Sequence, residues 1–151
     1  MLDKPEHGWS RITIGDWSER CSYLDDVPIE LLNAFISTIS YKTPSFVRFD
    51  AEGWEYLIVF SVNSVEIFTE EPNDGYYNSP IYRYKYIPIE LKELASELLS
   101  DIRQNLGAWG LWDTNISDKR FCEWTRTVRE TNLMILCSKL EKLCKISYES
   151  S

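Results

Sequence analysis

Residues 44–70, PSFVRFDAEGWEYLIVFSVNSVEIFTE, constrain the fold of this chain more than any other stretch. Three short runs rich in Val, Ile, Phe, Trp and Tyr are separated by Asp50-Ala51-Glu52-Gly53 and by Asn63-Ser64. β-Branched and aromatic runs of this length, bounded by turn formers, predict neighbouring antiparallel strands. In the middle run Trp54, Tyr56, Ile58, Phe60 and Val62 share one face; Leu57 and Val59 lie on the other, between Glu55 and Ser61. One wholly apolar and one partly apolar face fit an inner strand covered on at least one side.

The flanks supply the other layer. Residues 9–14 alternate as a first strand that stops at Gly15-Asp16, and residues 16–26 read as a polar connection ending in Asp25-Asp26. Pro28 suits the first turn of a helix, where its missing N–H costs nothing. Ile29, Leu32, Phe35, Ile36 and Ile39 then recur at helical spacing up to Tyr41. Residues 70–75 read as a loop, and residues 81–86 predict a further strand, an edge strand guarded by Arg83 and Lys85. Its Tyr82, Tyr84 and Tyr86 share one side, expected to lie beneath a helix. A second helix opens at Pro88 with a stripe from Leu91 to Leu106, and residues 107–117 read as a connector whose Trp109 and Trp112 plug a gap between helices. The last helix, from Ser117 or Asp118 to about residue 146, carries Phe121, Trp124 and Val128 in one stripe and Leu133, Leu136, Cys137, Leu140 and Cys144 in another. The run Leu133-Met134-Ile135-Leu136 is expected to be buried on several sides. The expectation is a single α+β domain over residues 1–151 with a frayed tail, 147–151. An antiparallel sheet of about four to five strands carries three helices packed mainly on one face.

With 151 residues and 44% hydrophobic side chains, such a chain buries a core without staples. The net charge of −8 argues against direct nucleic-acid or anionic-membrane binding and favours a basic protein partner. The charge is uneven: residues 1–117 hold 9 Lys+Arg against 19 Asp+Glu, residues 118–151 hold 7 against 5. Cys21, Cys122, Cys137 and Cys144 contain no C-x-x-C pair, and His7 is the only histidine. Structural zinc and nucleophile–histidine chemistry are therefore not expected, nor is any cofactor, and the thiols read as reduced core residues of a cytoplasmic protein. His7 sits in a terminus expected to be flexible. The N-terminal residues lack a signal-peptide pattern, and no run is long enough to span a bilayer.

Candidate binding residues are carboxylates and neighbouring tyrosines. Asp25 and Asp26 suit the positive end of the helix dipole or an acidic patch facing a partner. Asp50, Glu52 and Glu55 surround a turn, where acid/base chemistry would need a concave site that a hairpin tip rarely offers. Glu70, Glu71 and Asp74 precede Tyr76 and Tyr77, a combination of charge and rigid aromatic surface that suits an interface with a basic partner.

The runs Tyr23-Leu24-Asp25-Asp26-Val27-Pro28-Ile29-Glu30-Leu31-Leu32 and Phe49-Asp50-Ala51-Glu52-Gly53-Trp54-Glu55-Tyr56, with the later helix ending Asp101-Ile102-Arg103, carry a family resemblance. In these stretches the chain resembles the small acidic immunity proteins of bacterial polymorphic-toxin and contact-dependent inhibition systems. The resemblance implies a non-enzymatic role, tight binding to a cognate toxin domain, often a basic nuclease. Asp25, Asp26, Glu52, Glu55, Glu70, Glu71, Asp74, Tyr76 and Tyr77 are the expected contact residues. Two other classes stay open: a small-ligand or regulatory module with an aromatic-lined pocket, and a carboxylate-based enzyme.

Overall fold

In the computed structural model, residues 1–71, 79–112 and 119–149 are described. Asp74, Tyr76 and Tyr77 lie outside them. The chain is α+β. Strands β1 (Trp9–Ile14) and β2 (Trp17–Ser22) form a two-stranded ribbon, followed by helix α1 (Val27–Tyr41). Strands β3 (Ser45–Asp50), β4 (Glu55–Phe60), β5 (Val65–Glu71) and β6 (Ile81–Ile87) form an antiparallel sheet in sequential order. Helices α2 (Leu91–Gln104), α3 (Leu106–Gly110) and α4 (Lys119–Glu149) complete the chain.

Alternation explains how the sheet is covered. Val47, Phe49, Tyr56, Ile58, Phe60, Val65 and Ile67 point to one face and are buried against Leu31, Leu32 and Phe35 of α1 and Leu94 and Leu98 of α2. Phe35 and Phe60 meet edge to face, with ring centroids 4.7 Å apart. α1 contacts β3 and β4 on one side and α4 on the other, so α4 forms a third, outermost layer. The helices therefore pack on one face of the sheet, as expected.

Three expectations need correction. A fourth helix, α3, occupies part of the presumed connector: Trp109 and Trp112, centroids 5.0 Å apart, fill the space beside α4. Its glycines permit the approach, since a Cβ on Gly110 would lie 2.9 Å from Glu130 Cγ. The polar connection after β1 is instead β2, joined by the two residues Gly15 and Asp16. Gly15 adopts φ 57°, a left-handed value that glycine takes at little cost. The N-terminal residues are also built into the fold: Leu2 is buried and bridges Ile12.

The ribbon is fastened to the β3–β4 hairpin through Arg20. Its guanidinium lies 5.0 Å from the Trp9 ring centroid and 4.4 Å from that of Trp54, and its Nε donates to Ala51 O at 3.1 Å. Tyr56 Oη donates to Arg20 O at 2.9 Å, which fixes the far side of the same hairpin. Cys21 is buried beneath the ribbon, and burial pushes its thiol up to about 12. Among the described residues no disulfide links the four cysteines.

Candidate functional site

Among the described residues no helix lies against the second face of the sheet. Register places its outward side chains in three rows: Phe46, Val59, Glu66 and Tyr86; Arg48, Leu57, Phe68 and Tyr84; Asp50, Glu55, Glu70 and Tyr82. Tyr82, Tyr84 and Tyr86 are 73%, 56% and 55% exposed, and Phe46 and Phe68 are exposed beside them. The tyrosine stripe is thus an open platform, contrary to the expectation of a helical cover. α1 and α2 both go to the inner face, where Phe35 and Leu98 find apolar partners.

The platform has internal order. Phe68 and Tyr84 rings lie 5.1 Å apart, and Tyr84 Oη donates to Glu66 Oε1 at 2.8 Å. That hydrogen bond to a carboxylate raises the Tyr84 pKa. Among the described residues four carboxylates, Asp50, Glu55, Glu66 and Glu70, share the face with Arg48, whose guanidinium is 3.8 Å from Glu55, and Arg83 reaches the depression beside them. Glu55 and Glu70 stand directly opposite each other on β4 and β5. Like charges in that position destabilise a sheet; Arg48 offsets part of the repulsion, and a further cation would relieve the rest. A depression of about 280 Å³ between these rows is lined by Arg48, Glu55, Leu57, Phe68, Glu70 and Tyr82 among others.

The expected contact residues divide into three groups. Glu52, Glu55 and Glu70 converge at the end of the sheet that carries the β3–β4 hairpin; Glu52 sits at its tip with φ 56°, its N–H bonded to Asp50 Oδ1 at 2.6 Å. Glu71 turns to the opposite face and meets Arg83 at 3.1 Å. Asp25 and Asp26 are joinery. Asp25 Oδ2 accepts the Asp50 N–H at 2.7 Å, and its carbonyl accepts Trp112 Nε1 at 2.8 Å. Asp26 holds Arg129 of α4 through two bonds of 2.8 and 2.9 Å and makes no capping bond to α1. Burial raises the Asp25 pKa, with the nearby charges of Asp50 and Glu55 adding to it.

Phe46, Arg48, Asp50, Glu66 and Phe68 belong to the face but were not among the expected contacts. Their cue is the period-two alternation that sets them opposite the core positions. Among the described residues no group of three or more His, Cys, Asp or Glu side chains is arranged to hold a metal ion, and no helix is long and apolar enough to cross a membrane. The surface can bind cationic and apolar groups together, by charge, stacking and hydrogen bonding. No protein-family model, curated protein or solved structure matches the chain significantly.

Proposed function

We propose that this protein is an immunity-type binding protein that neutralises a cognate, basic bacterial toxin domain, such as a nuclease, in the cytoplasm. The observation that carries the reading is the uncovered sheet face. Its large aromatic residues, of the kind that dominate interface energetics, lie among four carboxylates, with Arg48 and Arg83 as the nearby cations among the described residues. An acidic surface steers a basic partner into encounter, and burial of Tyr82, Tyr84 and Phe68 then slows its departure. Inhibition follows by occlusion: the toxin's basic, substrate-binding surface is covered. The immunity resemblance of residues 23–32 and 49–56 supports the same reading.

The test is a pull-down with this protein as bait, at low and high salt, from cells expressing the neighbouring genes. A single stoichiometric basic protein, captured less well at high salt and inhibited by the bait in an activity assay, is the expected result. No captured protein despite confirmed expression would remove the proposal. The depression between Glu55 and Glu70 also favours a second reading, a site for a small cationic aromatic-stacking ligand. Thermal stabilisation by such metabolites, with no protein captured, would select it.

A further inference from the structure

The depression on the open face is built in a way that selects among cations. Two of its carboxylates come from one cross-strand pair, Glu55 on β4 and Glu70 on β5. Directly opposed residues hold their Cβ atoms about 5 Å apart, so a single group can reach both carboxylates. The adjacent row supplies an apolar bed: Leu57, then Phe68 and Tyr84, whose rings lie 5.1 Å apart. Tyr82, directly opposite Glu70 on β6 and well exposed, closes the far side. A group that satisfies all of these is flat, carries hydrogen-bond donors on its rim and accepts an apolar surface against its face.

A guanidinium has those properties. Its donors fork outward in one plane, and its weakly hydrated face stacks on aromatic rings. An ammonium is a compact, strongly hydrated point charge and gains less from Phe68 and Tyr82. Two internal guanidinium groups line the depression without filling it. Arg83 is engaged with Glu71, Nε to Oε2 at 3.1 Å. Arg48 stands 3.8 Å from Glu55, beyond hydrogen-bonding distance, with both side chains exposed. Exposed pairs of this kind hold little energy, so Arg48 yields Glu55 to a better-placed cation. Glu70 has no ion pair among the described residues.

We propose that this depression seats one arginine side chain of the basic partner, its guanidinium bridging Glu55 and Glu70 and lying against Phe68 and Tyr82. The inference rests on the proposed function for the source of the arginine, and on the geometry of the depression for the preference over lysine. Arg48 is then a weak internal competitor, displaced when the seat fills.

A nuclear magnetic resonance titration of the full chain with N-acetyl-arginine-N-methylamide, at physiological salt, tests the seat without the partner. Saturating shifts are expected at the backbone amides of Glu55, Leu57, Phe68, Glu70 and Tyr82, with a Kd of about 1–10 mM. N-acetyl-lysine-N-methylamide should bind about fivefold more weakly. Glu70→Gln should raise the Kd of the arginine compound about fivefold, whereas Arg48→Ala, which removes a competitor and a like charge, should lower it about threefold. Both positions are exposed, and the spectrum of each variant reports its folding. Shifts that do not saturate overturn the proposal, as does equal binding of the lysine compound. So does a Glu70→Gln variant that binds as tightly as wild type, or an Arg48→Ala variant that binds more weakly. A basic toxin captured in the pull-down alongside a failed titration overturns the seat and leaves the proposed function standing. A successful titration with no protein captured keeps the guanidinium site and removes the toxin as the source of its arginine.

Discussion

Asp25-Asp26 and Glu55 with Glu70 are both pairs of carboxylates in an acidic chain, and the fold uses them in opposite ways. The aspartates are consumed internally: Asp26 is bound twice to Arg129, and Asp25 holds the backbone of Asp50. The glutamates face each other across β4 and β5 on an uncovered surface. The first pair joins α1 to β3 and α4. The second works against its own sheet, and among the described residues only Glu55 has an internal cation, the exposed Arg48 at 3.8 Å. Acidity alone therefore does not distinguish the two pairs; what sets Glu55 and Glu70 apart is their place beside exposed aromatics on the open face.

The largest expected effect is at Asp26. Asp26→Ala leaves the nearly buried Arg129 guanidinium without its carboxylate. Loss of such a pair costs about 3–5 kcal/mol when fully buried, and partial exposure of Asp26 reduces this to roughly 2–3 kcal/mol. A urea midpoint within error of wild type would mean that Asp26 is not joinery. Tyr82→Ala and Tyr84→Ala should do the reverse, costing about 2 kcal/mol in partner binding while changing stability by no more than about 0.5 kcal/mol. Isothermal titration and a denaturant melt on the same samples separate the two.

Glu55→Gln with Glu70→Gln sharpens the contrast further. Association with the basic partner should slow by about tenfold and lose much of its salt dependence, while the isolated protein gains a few tenths of a kcal/mol from relieved repulsion. Stopped-flow association and thermal melts report each half, and a variant less stable than wild type would contradict the second. The smallest effect is on pH dependence. Burial raises the folded-state pKa of Asp25 and of Glu30, so the folded state binds protons more readily than the unfolded chain. Their contribution is fully present below the ordinary values of 3.8 and 4.5 and is lost as pH rises through the raised folded values. As pH falls from 7 towards 4, wild type should gain stability relative to Asp25→Asn. Parallel pH profiles would remove Asp25 as a contributor.

The sheet is legible in the sequence because Phe49, Tyr56, Ile58 and Ile67 alternate with polar or smaller side chains, and alternation is a local property. β2 is not, since Trp17, Glu19 and Arg20 are each half-buried and blur the pattern; its cue is the two-residue Gly15-Asp16 turn. Which face a helix covers is a tertiary outcome, so Tyr82, Tyr84 and Tyr86 can be grouped from sequence but not assigned to solvent. The meeting of Glu55 with Glu70 depends on register, and that of Asp26 with Arg129 on two elements a hundred residues apart. Neither leaves a local trace. Met134 and Ile135 show the converse: an apolar run that implies burial remains open on the outermost helix.

The open sheet face is the surface we propose for the partner. Its most direct test compares wild type with Glu55→Lys/Glu70→Lys as baits, after circular dichroism shows both folded, against cells expressing the neighbouring genes. One stoichiometric basic protein on the wild type, and its loss from the variant, is the expected result. Equal capture by both baits would place the binding surface elsewhere and contradict it.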